Sequence, residues 1–205
     1  MPYLIGLYGP SRSGKDTVAR ILHDDFGYQQ RAMAGGIREI LVGLDPLLEK
    51  NDHSVVSLAV LLHECDGDWD LVKAQSSESV DYMIRLGQVC RRVLGETVWL
   101  DRVLPAAEST AKICISDVRQ PNEYAAIKAR GGEVWRISRP GVTERGMDGF
   151  LDRYEFDAHI ENRGSLNGLR GIVQATIATK VHAESRGWPT AKRGPVEFNV
   201  TGLSQ

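Results

Sequence analysis

The chain is poor in cysteine, in long apolar runs and in excess charge of either sign. Its 205 residues include three cysteines, Cys65, Cys90 and Cys114, scattered and without a CxxC pair. That excludes a disulfide framework and a thiolate zinc site, and points to reduced intracellular thiols. No apolar run approaches the ~20 residues a membrane span needs. The start, Met1-Pro2-Tyr3-Leu4-Ile5-Gly6, lacks the charged n-region of a secretory signal. A cytoplasmic protein with no membrane partner is the expectation. Internal repeats and low-complexity segments are missing too. The net charge is only -2, from 25 Lys and Arg against 27 Asp and Glu. Such a balance argues against a dedicated binder of duplex nucleic acid.

Lysine is scarce: 7 of the 25 basic residues are Lys and 18 are Arg. Arginine forks grip phosphate bidentately, and coding bias enriches arginine as well; the count serves both readings. A hydrophobic share of 42% and a charged share of 25% describe an ordinary globule. A chain this long fits one domain, or one domain with a large excursion, and can bury roughly 70% of its surface.

Tyr3 to Tyr8 is a short apolar run ending at Gly9-Pro10, which predicts a buried strand entering a loop. From Gly14 to Phe26, Val18, Ala19, Ile21, Leu22 and Phe26 keep near-helical spacing. Lys112 to Val118 and Glu133 to Ser138 predict two more buried strands, with a helix over 122–130 opened by Pro121. Strand and helix alternating in this way predict an α/β fold with a parallel sheet and helices on both faces. Residues 35–108 show mostly helical periodicity, with helices predicted over 35–49, 55–64, 78–94 and 98–108. They read as a helical insertion between strands, leaving 1–34 and 109–186 as the core. Residues 139–155 read as an exposed lid and 166–184 as a helix. The tail over 187–205 reads as loosely attached, with an edge strand at Val196 to Val200 as one option.

Gly9-Pro10-Ser11-Arg12-Ser13-Gly14-Lys15-Asp16-Thr17 is the most informative stretch. It has the glycines and lysine of GxxxxGK[ST], with Asp16 where the hydroxyl residue is expected. Glycines let backbone amides turn inward around a polyphosphate, the helix that follows points its positive end there, and the lysine neutralises the outer phosphates. The strand before and the helix after are the context that motif requires. The hydroxyl normally ligates Mg²⁺. Here Thr17 comes one residue late. Asp16 reads equally as an ion ligand, directly or through water, and as a first-turn acid favoured by the helix dipole.

Arg85, Gln88 and Arg92 fall on one stripe of the 78–94 helix, with Val80, Met83, Ile84, Gly87, Cys90 and Leu94 expected on the buried side. The stripe reads as a grip for an acceptor monophosphate or as a solvated face. Asp117 and Arg119 sit where the second of these strands ends, the ligand edge of a parallel sheet. Arg136, Arg139 and Arg145 gather around the lid, where an arginine closing over the γ-phosphate supplies charge and expels water. For any one of them a loop salt bridge is an equal reading. The five histidines lack nucleophile or metal spacing and read as structural.

Several of these stretches together resemble the bacteriophage deoxynucleoside monophosphate kinases. The loop from Gly9 to Thr17 carries that family's GxxxSGKDT, and Leu86-Gly87 with Arg92 leads to Trp99. The run Ile115-Ser116-Asp117-Val118-Arg119-Gln120-Pro121-Asn122-Glu123 is similar as well. So is the Asp157 to Leu166 segment, with Ile160, Asn162, Gly164 and Ser165. The likeness spans the chain to about residue 185. Ala34-Gly35-Gly36-Ile37-Arg38, read as the loop after the second strand, departs from the family by lacking its proline. The resemblance implies a three-layer P-loop kinase fold with a helical acceptor-binding excursion and a lid. It implies transfer of the ATP γ-phosphate to a deoxynucleoside monophosphate, giving dNDP and ADP with Mg²⁺. Lys15, Arg139, Arg145 and Asp117 are then the catalytic candidates. Gly9, Ser11, Arg12, Ser13, Gly14, Lys15, Asp16, Thr17 and Asn162 face the ATP, and Asp16, Thr17 and Asp117 face the metal. Arg38, Arg85, Gln88, Arg92 and Arg119 face the acceptor. The location is the host-cell cytoplasm if the chain is phage-encoded, and a homodimer is one option for assembly. The alternatives are another small-molecule kinase, of the dephospho-coenzyme A or phosphomevalonate kind, and a non-catalytic nucleotide-binding switch.

Overall fold

The computed structural model describes residues 2–105, 111–142 and 151–185. The chain divides into two compact units, one of Met1–Arg31 with Leu104–Gln205 and the other of Ala32–Val103.

In the first unit, Leu4–Tyr8 forms β1, buried at every position, and Lys15–Phe26 forms α1. Gln29–Arg31 is β2, and further on Ile113–Ile115 is β5, Pro121–Ala129 α7, Glu133–Ser138 β6, Ala158–Glu161 β7 and Leu166–Ser185 α8. Between them, in the second unit, lie α2 (Met33–Leu44), β3 (Leu47–Glu49), β4 (Val55–Ser57), α3 (Leu58–Glu64), α4 (Trp69–Gln75), α5 (Ser77–Leu94) and α6 (Val98–Val103).

The first unit is an α/β fold around a five-stranded sheet of order β2-β5-β1-β6-β7, every pair parallel. Ile5 pairs with Cys114 on one side of β1 and with Glu133 on the other. On one face Ile5, Leu7, Trp135, Ile137 and Ile160 pack with Val18 and Leu22 of α1 and Leu169, Val173 and Ile177 of α8. Both faces of β1 are covered, which is why its sequence is continuously apolar rather than alternating. All strand C-termini lie on one edge, and β1 stands where the strand order reverses, the position that hosts ligands in open parallel sheets.

The strand expected over 112–118 is shorter. Ser116 and Val118 still donate backbone bonds to Arg31 and Leu7, at 3.0 and 3.2 Å, but the chain turns after Ile115. Pro121 then opens α7, and the carboxylate of Glu123 accepts the amides of Arg119 and Gln120 at 2.7 and 3.0 Å. Part of the Ser-Asp-Val-Arg-Gln-Pro-Asn-Glu string is therefore a helix cap.

The second unit corrects several expectations. Its core is Leu41, Leu48, Leu58, Leu61, Cys65 and Val72. The 34–38 segment, read as a loop, is the first half of α2. The helix predicted over 35–49 stops at Leu44, because Asp45 turns left-handed (φ 43) and Pro46 cannot continue it. Leu47–Glu49 instead pairs antiparallel with Val55–Ser57, so the segment read as helical holds a hairpin. The helix expected over 55–64 starts at Leu58, where Ser57 caps the Val60 amide. Helix α4 was not foreseen; Asp68 caps it through the Asp70 and Leu71 amides. The 98–108 helix ends at Val103, ahead of Pro105, and 106–110 fall outside the described residues. The Val196 to Val200 option also falls outside them. Among the described residues no helix is long and apolar enough to cross a membrane.

Candidate active site

The loop between β1 and α1 is shaped by its backbone. Gly9 sits at φ 148, and a β-carbon there would collide with the backbone carbonyl oxygen of Ile137 on β6. Pro10 to Ser13 close a turn, Ser13 donating to the Pro10 carbonyl at 3.2 Å, with Arg12 left-handed at φ 66. Gly14 stands at the N-cap of α1 at φ 104 and has no side chain with which to cap the first amides of the helix. Amides at a helix start favour an anion, and α1, at 12 residues, carries a full dipole.

Lys15 is buried. Its ammonium donates to the carbonyls of Gly9 and Pro10, at 2.6 and 2.7 Å. Ser13 is fully buried, and its hydroxyl has no hydrogen-bond partner among the described residues. An orphaned buried hydroxyl costs about 1–3 kcal/mol. Asn162, just beyond β7, is buried and donates from Nδ2 to the Ser13 carbonyl at 3.1 Å. Ser11, Arg12 and Asp16 are exposed, and Thr17 is half-buried.

Asp117 is half-buried at the C-terminal edge of the sheet, just past β5, and Arg119 is exposed beyond it. Among the described residues no cluster of three or more His, Cys, Asp or Glu forms a metal cage. Magnesium does not need one, since it takes one or two carboxylates and fills its remaining positions with phosphate oxygens and water. Asp16 and Asp117 supply hard oxygen donors at the edge where the loop opens, so the donor chemistry fits the ion. The carboxylate of Asp16 also bears on the Cys114 thiol. Burial in β5 pushes that thiol far above its ordinary range, and the Asp16 charge adds to it.

Arg139 is exposed where β6 ends, its carbonyl accepting the Val142 amide at 3.1 Å, and Arg145 lies outside the described residues. Arg136 has a different setting from Arg139. Its guanidinium lies 3.0 Å from Asp152 and over the rings of Tyr8 and Phe156, at 5.9 and 5.7 Å. The Tyr8 hydroxyl donates to the same carboxylate at 3.2 Å, and the two rings stack at 5.2 Å. This clasp pins the end of the 139–155 stretch to the strand that enters the loop. The alternation along β1, with Tyr8 on the face opposite Ile5 and Leu7, was its only trace in the sequence.

In the second unit Arg85, Gln88 and Arg92 do form one exposed stripe of α5. Neither arginine has an ion-pair partner among the described residues. The opposite face is narrower than expected: Gly87 and Cys90 are buried and Val80 and Met83 half-buried, but Ile84 and Leu94 are exposed at 46% and 67%. The α5 helix has 18 residues and packs against α2, α4, α6 and β3, which leave Ile84 and Leu94 uncovered. Arg38 on α2 lies 5.4 Å over the Trp69 ring, with a buried Nε that lacks a hydrogen-bond partner among the described residues. Trp69, placed by the unforeseen α4, carried no sequence signal.

No family model matches the chain, and no curated protein matches it in sequence. Among solved structures it is similar to a shikimate kinase from Aquifex aeolicus, at 11% identity and a TM-score of 0.45, covering 87% of this chain and 98% of that one. It is also similar to a dephospho-CoA kinase from Campylobacter jejuni, at 13% identity and a TM-score of 0.43, covering 86% and 96%. A sugar kinase from Janibacter shares 13% identity at a TM-score of 0.33, covering 94% and 99%. Likeness at this level says nothing of substrate.

Proposed function

We propose that this chain is an ATP-dependent small-molecule kinase whose acceptor is a deoxynucleoside monophosphate. The observation that carries the donor half is the fully buried hydroxyl of Ser13, unpartnered among the described residues, inside a glycine loop at a helix start with glycine at its N-cap. A phosphate oxygen in that loop relieves the hydroxyl and meets the α1 amides. It also draws Lys15 off the Gly9 and Pro10 carbonyls, so that the ammonium faces the migrating group. Phosphoryl transfer asks little covalent chemistry of the protein beyond this positioning and charge. Asp16, Thr17 and Asp117 would hold magnesium, which would supply positive charge against the phosphates.

The acceptor half rests on the exposed Arg85, Gln88 and Arg92 stripe and on the motifs shared with the deoxynucleoside monophosphate kinases. Two guanidiniums a double turn apart suit a phosphate monoester. Arg38 and Arg119 are further acceptor contacts in this reading, and Arg139 and Arg145 attend the γ-phosphate.

The test is a coupled ADP-release assay with ATP and Mg²⁺ against the four dNMPs, the ribonucleoside monophosphates, dephospho-coenzyme A and phosphomevalonate. Turnover with at least one dNMP, well above the ATP-only rate, is expected. Turnover with only one of the last two acceptors replaces the acceptor assignment. Failure to bind ATP at all removes the kinase reading.

A further inference from the structure

Asn162 does its work through the backbone of the phosphate loop. It is held at the end of β7 by its own amide, which donates to the Ser138 carbonyl at 2.7 Å, and it is 7% exposed. From there Nδ2 reaches across 149 positions of sequence to the Ser13 carbonyl. The approach is so close that a β-carbon on Gly14 would run into Nδ2. The second glycine of the loop thus makes room for this carboxamide as well as for a left-handed turn.

We infer that Asn162 is a positioning residue: by holding the Ser13 carbonyl toward β7 it turns the Gly14 N–H into the cradle, toward a bound phosphate. A trans peptide is planar, and its C=O and N–H point in opposite directions. Fixing one therefore fixes the other. A loop with left-handed residues at both Arg12 and Gly14 has alternative peptide orientations within easy reach, and a buried amide donor selects one of them. The inference rests on the reading of Gly9 to Thr17 as a phosphate site. It differs from a direct contact between Asn162 and the nucleotide, because the bond the side chain makes is to the Ser13 carbonyl.

The experiment compares the full chain with Asn162→Ala, which deletes the donor, and Asn162→Asp, which sets an acceptor against the Ser13 carbonyl. Affinities for inorganic pyrophosphate and for ATP are measured by calorimetry without metal. Circular dichroism melts check the fold, and the Gly14 amide resonance is followed during the pyrophosphate titration. Asn162→Ala is expected to weaken both ligands by the same factor, about 5- to 30-fold. It should also shrink the pyrophosphate-induced shift of the Gly14 amide while melting remains cooperative. Weaker ATP binding with unchanged pyrophosphate binding makes Asn162 a nucleoside contact and overturns the inference. Unchanged affinities for both ligands, or loss of the native fold in both variants, overturn it too. If the unaltered chain binds neither ligand, the phosphate-site reading itself fails, a result separate from any effect at Asn162.

Discussion

The ammonium of Lys15 lies 2.6 Å from the carbonyl oxygen of Gly9, so the first residue of α1 reaches back to the residue that opens the loop. The same ammonium touches the Pro10 carbonyl at 2.7 Å. In the proposed function the ammonium leaves these two carbonyls for a bound phosphate.

Lys15→Ala is accordingly expected to lower kcat by at least about two orders of magnitude, since the charge it removes acts on the transition state. Its thermal midpoint should move by only a few degrees, because the ammonium's contacts to Gly9 and Pro10 lie in the loop rather than in the hydrophobic core. Steady-state ADP release and a calorimetric melt check both halves. Near-normal turnover in a folded variant removes the loop from the chemistry.

Arg92→Ala and Arg85→Ala are expected to raise the KM for the acceptor monophosphate by roughly 10- to 150-fold each, the worth of a charged hydrogen bond. The KM for ATP should stay within about twofold, since the donor phosphates are held by the first unit. Separate titrations of acceptor and donor decide. Unchanged acceptor kinetics in both variants make the α5 stripe a solvated face.

Gly9→Ala meets both a left-handed φ and the backbone carbonyl of Ile137, which cannot rotate away as a side chain tip would. A stability loss of about 2–4 kcal/mol is expected in urea unfolding. A loss below ~0.5 kcal/mol would mean that the loop and β6 separate at little cost.

Cys114 gives a pH dependence with a definite sign. Burial raises its thiol pKa in the folded chain, whereas the unfolded chain exposes an ordinary thiol titrating near about 8.5. The stabilisation is fully present below the unfolded pKa and is lost as pH rises beyond it, because only the unfolded chain then releases the proton. Unfolding free energy should therefore fall between about pH 8.5 and 10, and less steeply in Cys114→Ala. Iodoacetamide at pH 8 should leave Cys114 unlabelled until denaturant is added. Labelling in the native state would contradict its burial.

Local chemistry was enough to read β1, α1, the sheet class and the glycine turn between strand and helix from the sequence. A continuous apolar strand, a glycine turn and an amphipathic helix act within a few residues of one another. The Arg85, Gln88 and Arg92 stripe was legible for the same reason, being a matter of helical period. The end of α2 lay in the sequence at Asp45-Pro46, although periodicity ran past it. What tertiary structure alone decided is everything that depends on distant chain segments meeting. Ile137 demands the glycine at position 9, Asn162 braces Ser13, and Asp152 gathers Arg136 and Tyr8. Ile84 and Leu94 were expected to be buried and are exposed, because period tells which residues share a face but not whether another element covers it. Side-chain pattern reports what a segment prefers, and only the packed sheet determines which backbone carbonyl or carboxamide stands a bond length away.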